Sequence, residues 1–372
     1  MFYIILAILA IGLLIVIHEF GHFVFCKIFG VKVLKFSIGF GPDLFKRKIG
    51  DTDFSVAAIP WGGYVKPLDS DLIQQMTEEA ESALGTDKKE EAREFVMRNL
   101  GVNEFDIKNR SLSSKPTWQR FFVIFAGPLF NVLFGLLFVF LSLIIGFQTY
   151  SPLVGGVKEG SPAFYAGIAT GDVILKIQGE DVKSFIDIKR LVAFSDGKEL
   201  SVTVKRDDKI FPVKLTPVKQ EDMYVIGIIS SNEMTKVSYS VLEALSNSVL
   251  RTVELSYMTV VAIKRIFTGE LSSKTLGGPI TLFRVTKQAV ETELSYLLSI
   301  LFFISVNLAF FNLLPIPLLD GGHILFIILE VIIRKKISTQ VREVVTAFGI
   351  IILVSLMVFA FFNDIALLFE KH

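Results

Sequence analysis

Apolar residues in this chain are gathered into long blocks, at residues 2–29, 120–147, 295–333 and 344–369. A helix needs about 20 apolar residues to cross the hydrocarbon of a bilayer. Each block reaches that length, so the sequence predicts a polytopic α-helical membrane protein with four transmembrane helices. The hydrophobic share, 52%, and the mean hydropathy, +0.57, exceed those of ordinary soluble domains. The first block, FYIILAILAIGLLIVIHEFGHFVFCKIF, has no basic start and no small-residue cleavage site. It reads as a retained helix rather than a signal peptide.

The blocks divide the chain. Segment 1–30 is the first span. Residues 31–68 alternate in β fashion and are punctuated by Gly39, Gly41–Pro42, Gly50 and Gly62–Gly63, the pattern of small hairpins. Residues 69–117 are charged and helix-prone, a solvated helical segment. Segment 118–148 is the second span, interrupted by Gly127–Pro128 and Asn131. Such breakers are tolerated where a span faces protein rather than lipid.

Residues 149–220 form a domain of short strands and a helix. In 221–293 the apolar residues are interrupted by Glu243, Arg251, Glu254, Lys264 and Arg265, which predicts amphipathic helices on the membrane surface rather than a span. Segment 294–333 is a span broken by LLPIPLLDGGH. Two prolines so close end one helix near Asn312, and a second is expected from about Gly322. Segment 343–369 is the fourth span.

Basic residues set the orientation. Lys27, Lys32, Lys35, Lys46, Arg47 and Lys48 follow the first span, and Arg334, Lys335, Lys336 and Arg342 lie between the third and fourth. Both loops, including the membrane-associated β-hairpin region, are expected on the cytoplasmic side. Both termini and the 149–220 domain then lie outside.

Lys+Arg (38) and Asp+Glu (37) nearly cancel, so no global charge argues for nucleic acid. A single cysteine, Cys26, excludes an internal disulfide and a Cys-rich zinc site. The chemistry lies in HEFGH, His18 to His22. On a helix, histidines four apart share a face and can hold one zinc ion, and the glutamate between them can serve as general base. Ionisable groups at this depth in a span are costly and mark function. A catalytic zinc takes a third protein ligand and keeps one position open. Asp320 and His323, side by side in LLDGGH, are both sound candidates, and spacing alone does not choose between them. Asp320 could also act as a helix N-cap.

HEFGH, AGPLFN (Ala126–Asn131) and FNLLPIPLLDGGH (Phe311–His323) occur in that order. GFGP (39–42), PWGGYVKP (60–67) and KPTWQR (115–120) flank them. In these motifs the chain resembles the site-2 protease family of intramembrane zinc metalloproteases, in particular its bacterial regulator-of-sigma-E protease branch. The resemblance implies one Zn2+ per chain held by His18, His22 and Asp320, Glu19 as base, and Asn312 holding the backbone of an unwound substrate. It implies that 31–68 is a β-loop that receives substrate as an added strand. The GSPA…AGI…GDVILKI…G run (160–179) resembles a PDZ domain, one unit where the enterobacterial pattern has two. The implied activity is regulated intramembrane proteolysis of a single-span protein, such as a trimmed anti-sigma factor or a signal-peptide remnant, in the bacterial inner membrane. Nothing in the sequence demands more than one chain. The competing readings are a membrane-tethered PDZ adaptor with a vestigial metal site, and a metal transporter. The intact Glu19 disfavours the first, and the lack of an internal repeat of spans disfavours the second.

Overall fold

A computed structural model describes residues 2–84, 89–220, 223–269, 278–335 and 337–369. Lys336, counted above among the basic residues of the last loop, and residues 221–222 and 270–277 of the 221–293 segment lie outside these ranges. The chain divides into two units, one formed by 1–141 with 245–372 and the other by 142–244.

The first unit opens with helix α1 (Phe2–Ile28). Strands β1 (Val33–Ile49) and β2 (Thr52–Pro67) follow, each bent into two arms. The first arm of β1 is flanked on both sides: Phe36 lies opposite Phe54 and also opposite Val65. The second arm folds back so that Phe45 faces Val56. Two strands thereby make four segments, and the 63–67 arm carries a backbone N–H that points away from the sheet (Val65, below).

Helices α2 (Ser70–Leu84), α3 (Lys89–Leu100) and α4 (Glu104–Arg110) come next. Ile73, Val96 and Val102 close over Leu34 and Leu68 as a small core. Asn103 caps α4 by accepting from Asp106 N–H, satisfying a donor that the helix start leaves free. The buried Lys32 ammonium donates to Asp106 Oδ2 at 2.7 Å and to Gly101 O at 2.8 Å, tying this helical segment to β1. Helix α5 (Thr117–Ile145) carries Pro128 in its interior.

The second unit is built of short strands: β3 (Phe147–Tyr150), β4 (Val154–Val157), β5 (Val173–Ile177), β6 (Glu180–Asp181), β7 (Leu200–Arg206), β8 (Lys209–Leu215), β9 (Val218–Gln220), β10 (Met223–Val225), β11 (Ile228–Ser230) and β12 (Met234–Val237). Its largest sheet has the order β6-β5-β7-β8; β4 pairs with β11 and β3 with β12. Helix α6 (Pro162–Tyr165) starts at Ser161, and α7 (Phe185–Ala193) starts with a capping box of Ser184 and Asp187. This box satisfies two orphan donors reciprocally. Alternation along β7 turns Leu200, Val202 and Val204 inward against Ile174, Ile177, Phe185 and Ile188, so this unit owns a separate hydrophobic core.

Helices α8 (Val241–Phe267), α9 (Pro279–Thr292), α10 (Leu294–Asn312), α11 (Asp320–Ile333) and α12 (Thr339–Phe369) complete the chain. Four helices, α1, α5, α10 and α12, are long and apolar enough to cross a membrane. Between α10 and α11 the Pro315–Pro317 stretch is non-helical, and Leu318 takes φ 100°. Gly278, the residue before α9, offers no side-chain cap; the buried Asp364 of α12 instead accepts from Gly278 N–H at 2.9 Å and Ile280 N–H at 2.8 Å. At the far end of α11, Glu330 accepts from Arg120 of α5 at 3.0 Å and from Arg342 of α12. Helix α11 is thus held at its C-terminal end, and its N-terminal end, with Gly321 and Gly322 buried against the backbone of residues 313–317, presents Asp320.

Candidate metal centre

Helix α1 projects His18 and His22 from one face because they are four residues apart. Asp320 is the first residue of α11, placed there because the prolines stop α10 short. Among the described residues, these three form the group that can hold a metal ion, with their ligand atoms all within 4.8 Å of one another. His18 Nε2 lies 3.0 Å from Asp320 Oδ2, His22 Nε2 lies 3.5 Å from Asp320 Oδ1, and the two Nε2 atoms are 3.2 Å apart. Ligand atoms placed tetrahedrally around zinc at its usual bond lengths sit roughly 3.4 Å from one another. The three spacings match that figure to within a few tenths of an ångström.

The donor set fits a cation for a second reason. Asp320 Oδ2 is buried, and it faces His18 Nε2 with no other polar partner. His22 Nδ1 donates to Val123 O at 2.8 Å, which leaves its Nε2 lone pair facing the cluster. Acceptors converging on one buried point repel unless a proton or a metal lies between them. His323, the other sequence candidate, is exposed and lies outside the group.

Glu19 accepts from Val65 N–H at 3.0 Å. The outward-pointing N–H of the 63–67 arm thus meets the carboxylate between the two histidines. Asn312, at the end of α10, brings Nδ2 to 3.4 Å from His18 Nδ1. All five site candidates named from the sequence (His18, Glu19, His22, Asn312 and Asp320) therefore lie in this one region.

Two glycines make the helix packing possible. A Cβ at Gly21 would lie 2.3 Å from Ala126 O, and one at Gly127 would lie 2.4 Å from His22 Nε2 and 2.7 Å from His18 Nε2. Both are well inside van der Waals contact. Sequence reasoning assigned no role to Gly127, to the Val123 carbonyl or to Val65 N–H. It noticed Asn131 as an interruption of a span and as the last residue of AGPLFN, without a role; the structure puts its Nδ2 3.1 Å from His18 Nδ1. The polar residue in the span and the AGPLFN motif were the available signals, since a backbone carbonyl or N–H leaves no trace in residue identity.

The model of peptidase family M50 matches residues 6–356. The chain belongs to peptidase family M50. Relatives of this M50 chain align along almost their whole length. A protein from Clostridium perfringens named as a zinc metalloprotease is 34% identical over 98% of this chain and 98% of its own. The regulator of sigma-W protease RasP from Bacillus subtilis is 30% identical, with 97% and 98% covered. A protein from Helicobacter pylori named as a zinc metalloprotease is 33% identical, with 97% and 98% covered. A PDZ domain of an SdrC-like protein from Listeria monocytogenes is 25% identical over 22% of this chain and 86% of that one, with a TM-score of 0.20, too low to bear on the fold. This M50 protein is a site-2-type zinc metalloprotease.

Proposed function

We propose that the protein cleaves a peptide bond within or beside the transmembrane segment of a single-span membrane protein, with His18, His22 and Asp320 as the zinc ligands. The observation that carries this reading is the convergence of these three side chains from α11 and from α1, the latter a helix long and apolar enough to cross a membrane. Zinc bound there supplies Lewis acidity, which polarises the scissile carbonyl and acidifies water. Glu19 takes a proton from the attacking water and returns it to the leaving amine nitrogen. Its hydrogen bond from Val65 N–H holds the carboxylate in place and sets it beside a strand arm.

A protease cuts extended chain, so a substrate helix must unwind. The 63–67 arm next to Glu19 offers an edge to which an unwound segment adds by β-pairing. The Asn312 carboxamide binds the substrate backbone there. The substrate is a trimmed anti-sigma factor or a signal-peptide remnant; the regulator of sigma-W protease, a relative in name and length, is named for control of a sigma factor.

The positive-inside pattern supports a cytoplasmic position for the 31–68 hairpins, with both termini and the 149–220 PDZ-like domain outside. Within 221–293 the strands β10–β12 belong to the 142–244 unit, and the helices α8 and α9 lie on the membrane surface: α8 exposes Val241, Leu242, Leu245 and Val253 beside its charged residues. The bilayer is the inner membrane, and one chain suffices for the site.

The deciding test is Glu19→Gln in protein reconstituted with a single-span substrate. Cleavage is expected to vanish while about one zinc per chain remains. Normal cleavage by this variant would refute Glu19 as the base.

A further inference from the structure

Val123, Gly127 and Asn131 follow one another at four-residue intervals on α5, so they line one stripe of that helix. Opposite them stand His18 and His22, also four apart, on α1. Each member of the stripe meets the histidines differently. Val123 O accepts from His22 Nδ1 at 2.8 Å. Gly127 leaves no room for even a Cβ against either Nε2. The Asn131 carboxamide lies 3.1 Å from His18 Nδ1.

Asn131 is fully buried, and its Oδ1 has no hydrogen-bond partner. Its own backbone carbonyl accepts from Ser305 Oγ of α10 at 2.7 Å, which anchors the residue between two helices. A histidine that gives Nε2 to a metal carries its proton on Nδ1 and needs an acceptor there. The carboxamide's oxygen and nitrogen exchange places by half a turn about the last side-chain bond. With Oδ1 toward His18, Asn131 accepts the Nδ1 proton, and Nδ2 takes the position that the oxygen now holds without a partner. Asn312 also reaches His18 Nδ1, at 3.4 Å, but lies at the end of α10, where, in the function proposed above, substrate competes for it.

We propose that the Val123–Gly127–Asn131 stripe of α5 is the positioning wall of the zinc site. In this wall the Asn131 carboxamide and the Val123 carbonyl each fix one histidine with Nε2 toward the metal, and Gly127 makes room for both rings. The proposal rests on the reading of His18, His22 and Asp320 as ligands. Asn131 acts through His18 and touches neither metal nor substrate, so it is a positioning residue.

The test uses full-length protein purified in detergent in a Glu19→Gln background, with zinc affinity read by chelator competition. Asn131→Leu keeps the branched outline and removes the acceptor; zinc is expected to bind about 10–100-fold more weakly, the usual loss when a histidine ligand's partner is removed. Asn131→Asp keeps an acceptor and is expected to hold zinc at least as tightly as the parent. A purely structural role for Asn131 would not separate these two variants. Unchanged zinc in Asn131→Leu, or weakened zinc in Asn131→Asp, overturns the proposal. The second result decides alone if Asn131→Leu does not fold. Asp320→Ala runs in parallel: if it keeps zinc, the ligand assignment itself fails, and if it loses zinc while both Asn131 variants keep it, only the positioning wall fails.

Discussion

Replacing Gly21 by alanine tests whether the site depends on how closely α1 approaches α5. The new Cβ would lie 2.3 Å from Ala126 O, 2.8 Å from Ala126 C and 3.0 Å from Phe130 Cβ. The first two atoms are backbone and cannot swing aside. A carbon resting on a carbonyl oxygen settles at roughly 3.3 Å, so the two helices must separate locally by about 1 Å. The His22 Nδ1 to Val123 O bond, 2.8 Å here, would open to about 3.8 Å, beyond hydrogen-bond reach. Losing that partner lowers metal affinity about 10–100-fold, and a 1 Å misplacement of a reacting group costs on the order of 100-fold in rate. Gly21→Ala is therefore expected to cut kcat/KM by at least about 100-fold, near 2.7 kcal/mol of transition-state stabilisation. The assay is cleavage of a single-span reporter in proteoliposomes, with zinc content measured on the same preparation. A Gly21→Ala protein with parental rate and parental zinc would show that the close contact does not set the site.

The third ligand is tested by a pair of variants. Asp320→Ala should lose zinc by metal analysis, whereas His323→Ala, exposed and outside the cluster, should largely keep it; the reverse outcome would transfer the role to His323. In the 142–244 unit, Arg206 forks onto Asp172 at 2.7 and 2.9 Å. Burial pushes the Asp172 carboxyl up, but its hydrogen bonds from Arg206 and Ala169 N–H outweigh this and leave it below the ordinary value. A depressed carboxyl contributes stability that is present above its unfolded value, near 4, and lost as pH falls through the folded one. Asp172→Asn should lower the unfolding temperature of this unit at pH 7, by less than the loss of a fully buried pair would, because Arg206 is half-exposed. The gap to wild type should close as pH drops below 4, and a gap independent of pH would remove the ion pair as its cause.

Much of the site was legible because it is written in residues that are costly in an apolar block. His18, Glu19 and His22 stand out in α1 for that reason, and Asp320 and His323 in the third block. The choice between the last two was not legible from spacing. It depends on where α11 starts: at its first residue Asp320 turns toward α1, while His323, three residues on, stays exposed. The four apolar helices followed from length alone. The bent arms of β1 and β2 did not, because a strand that pairs on both sides has the same alternation as a simple hairpin. The close fit of α1 to α5 was equally hidden. Glycine at 21 and 127 signals room, but the sequence does not say which backbone or ring will fill it. Asp364 shows the same limit: a lone carboxylate in the fourth block announces a partner, and only the fold reveals that the partner is the bare start of α9.

The order in which the helices are made gives the α5 stripe a consequence in time. His22 and Val123 are 101 residues apart, and His18 and Asn131 are 113 apart, whereas Asp320 comes about 300 residues after the histidines. At a synthesis rate of about 5–20 residues per second, α5 emerges within roughly 5–25 seconds of α1, and Asp320 only after some 15–60 seconds. During that interval the two imidazoles already have acceptors on α5 for their Nδ1 protons. The nascent chain is then spared a long wait with bare histidines in lipid, and the last third of the protein arrives at a half-built pocket that lacks one carboxylate and the metal.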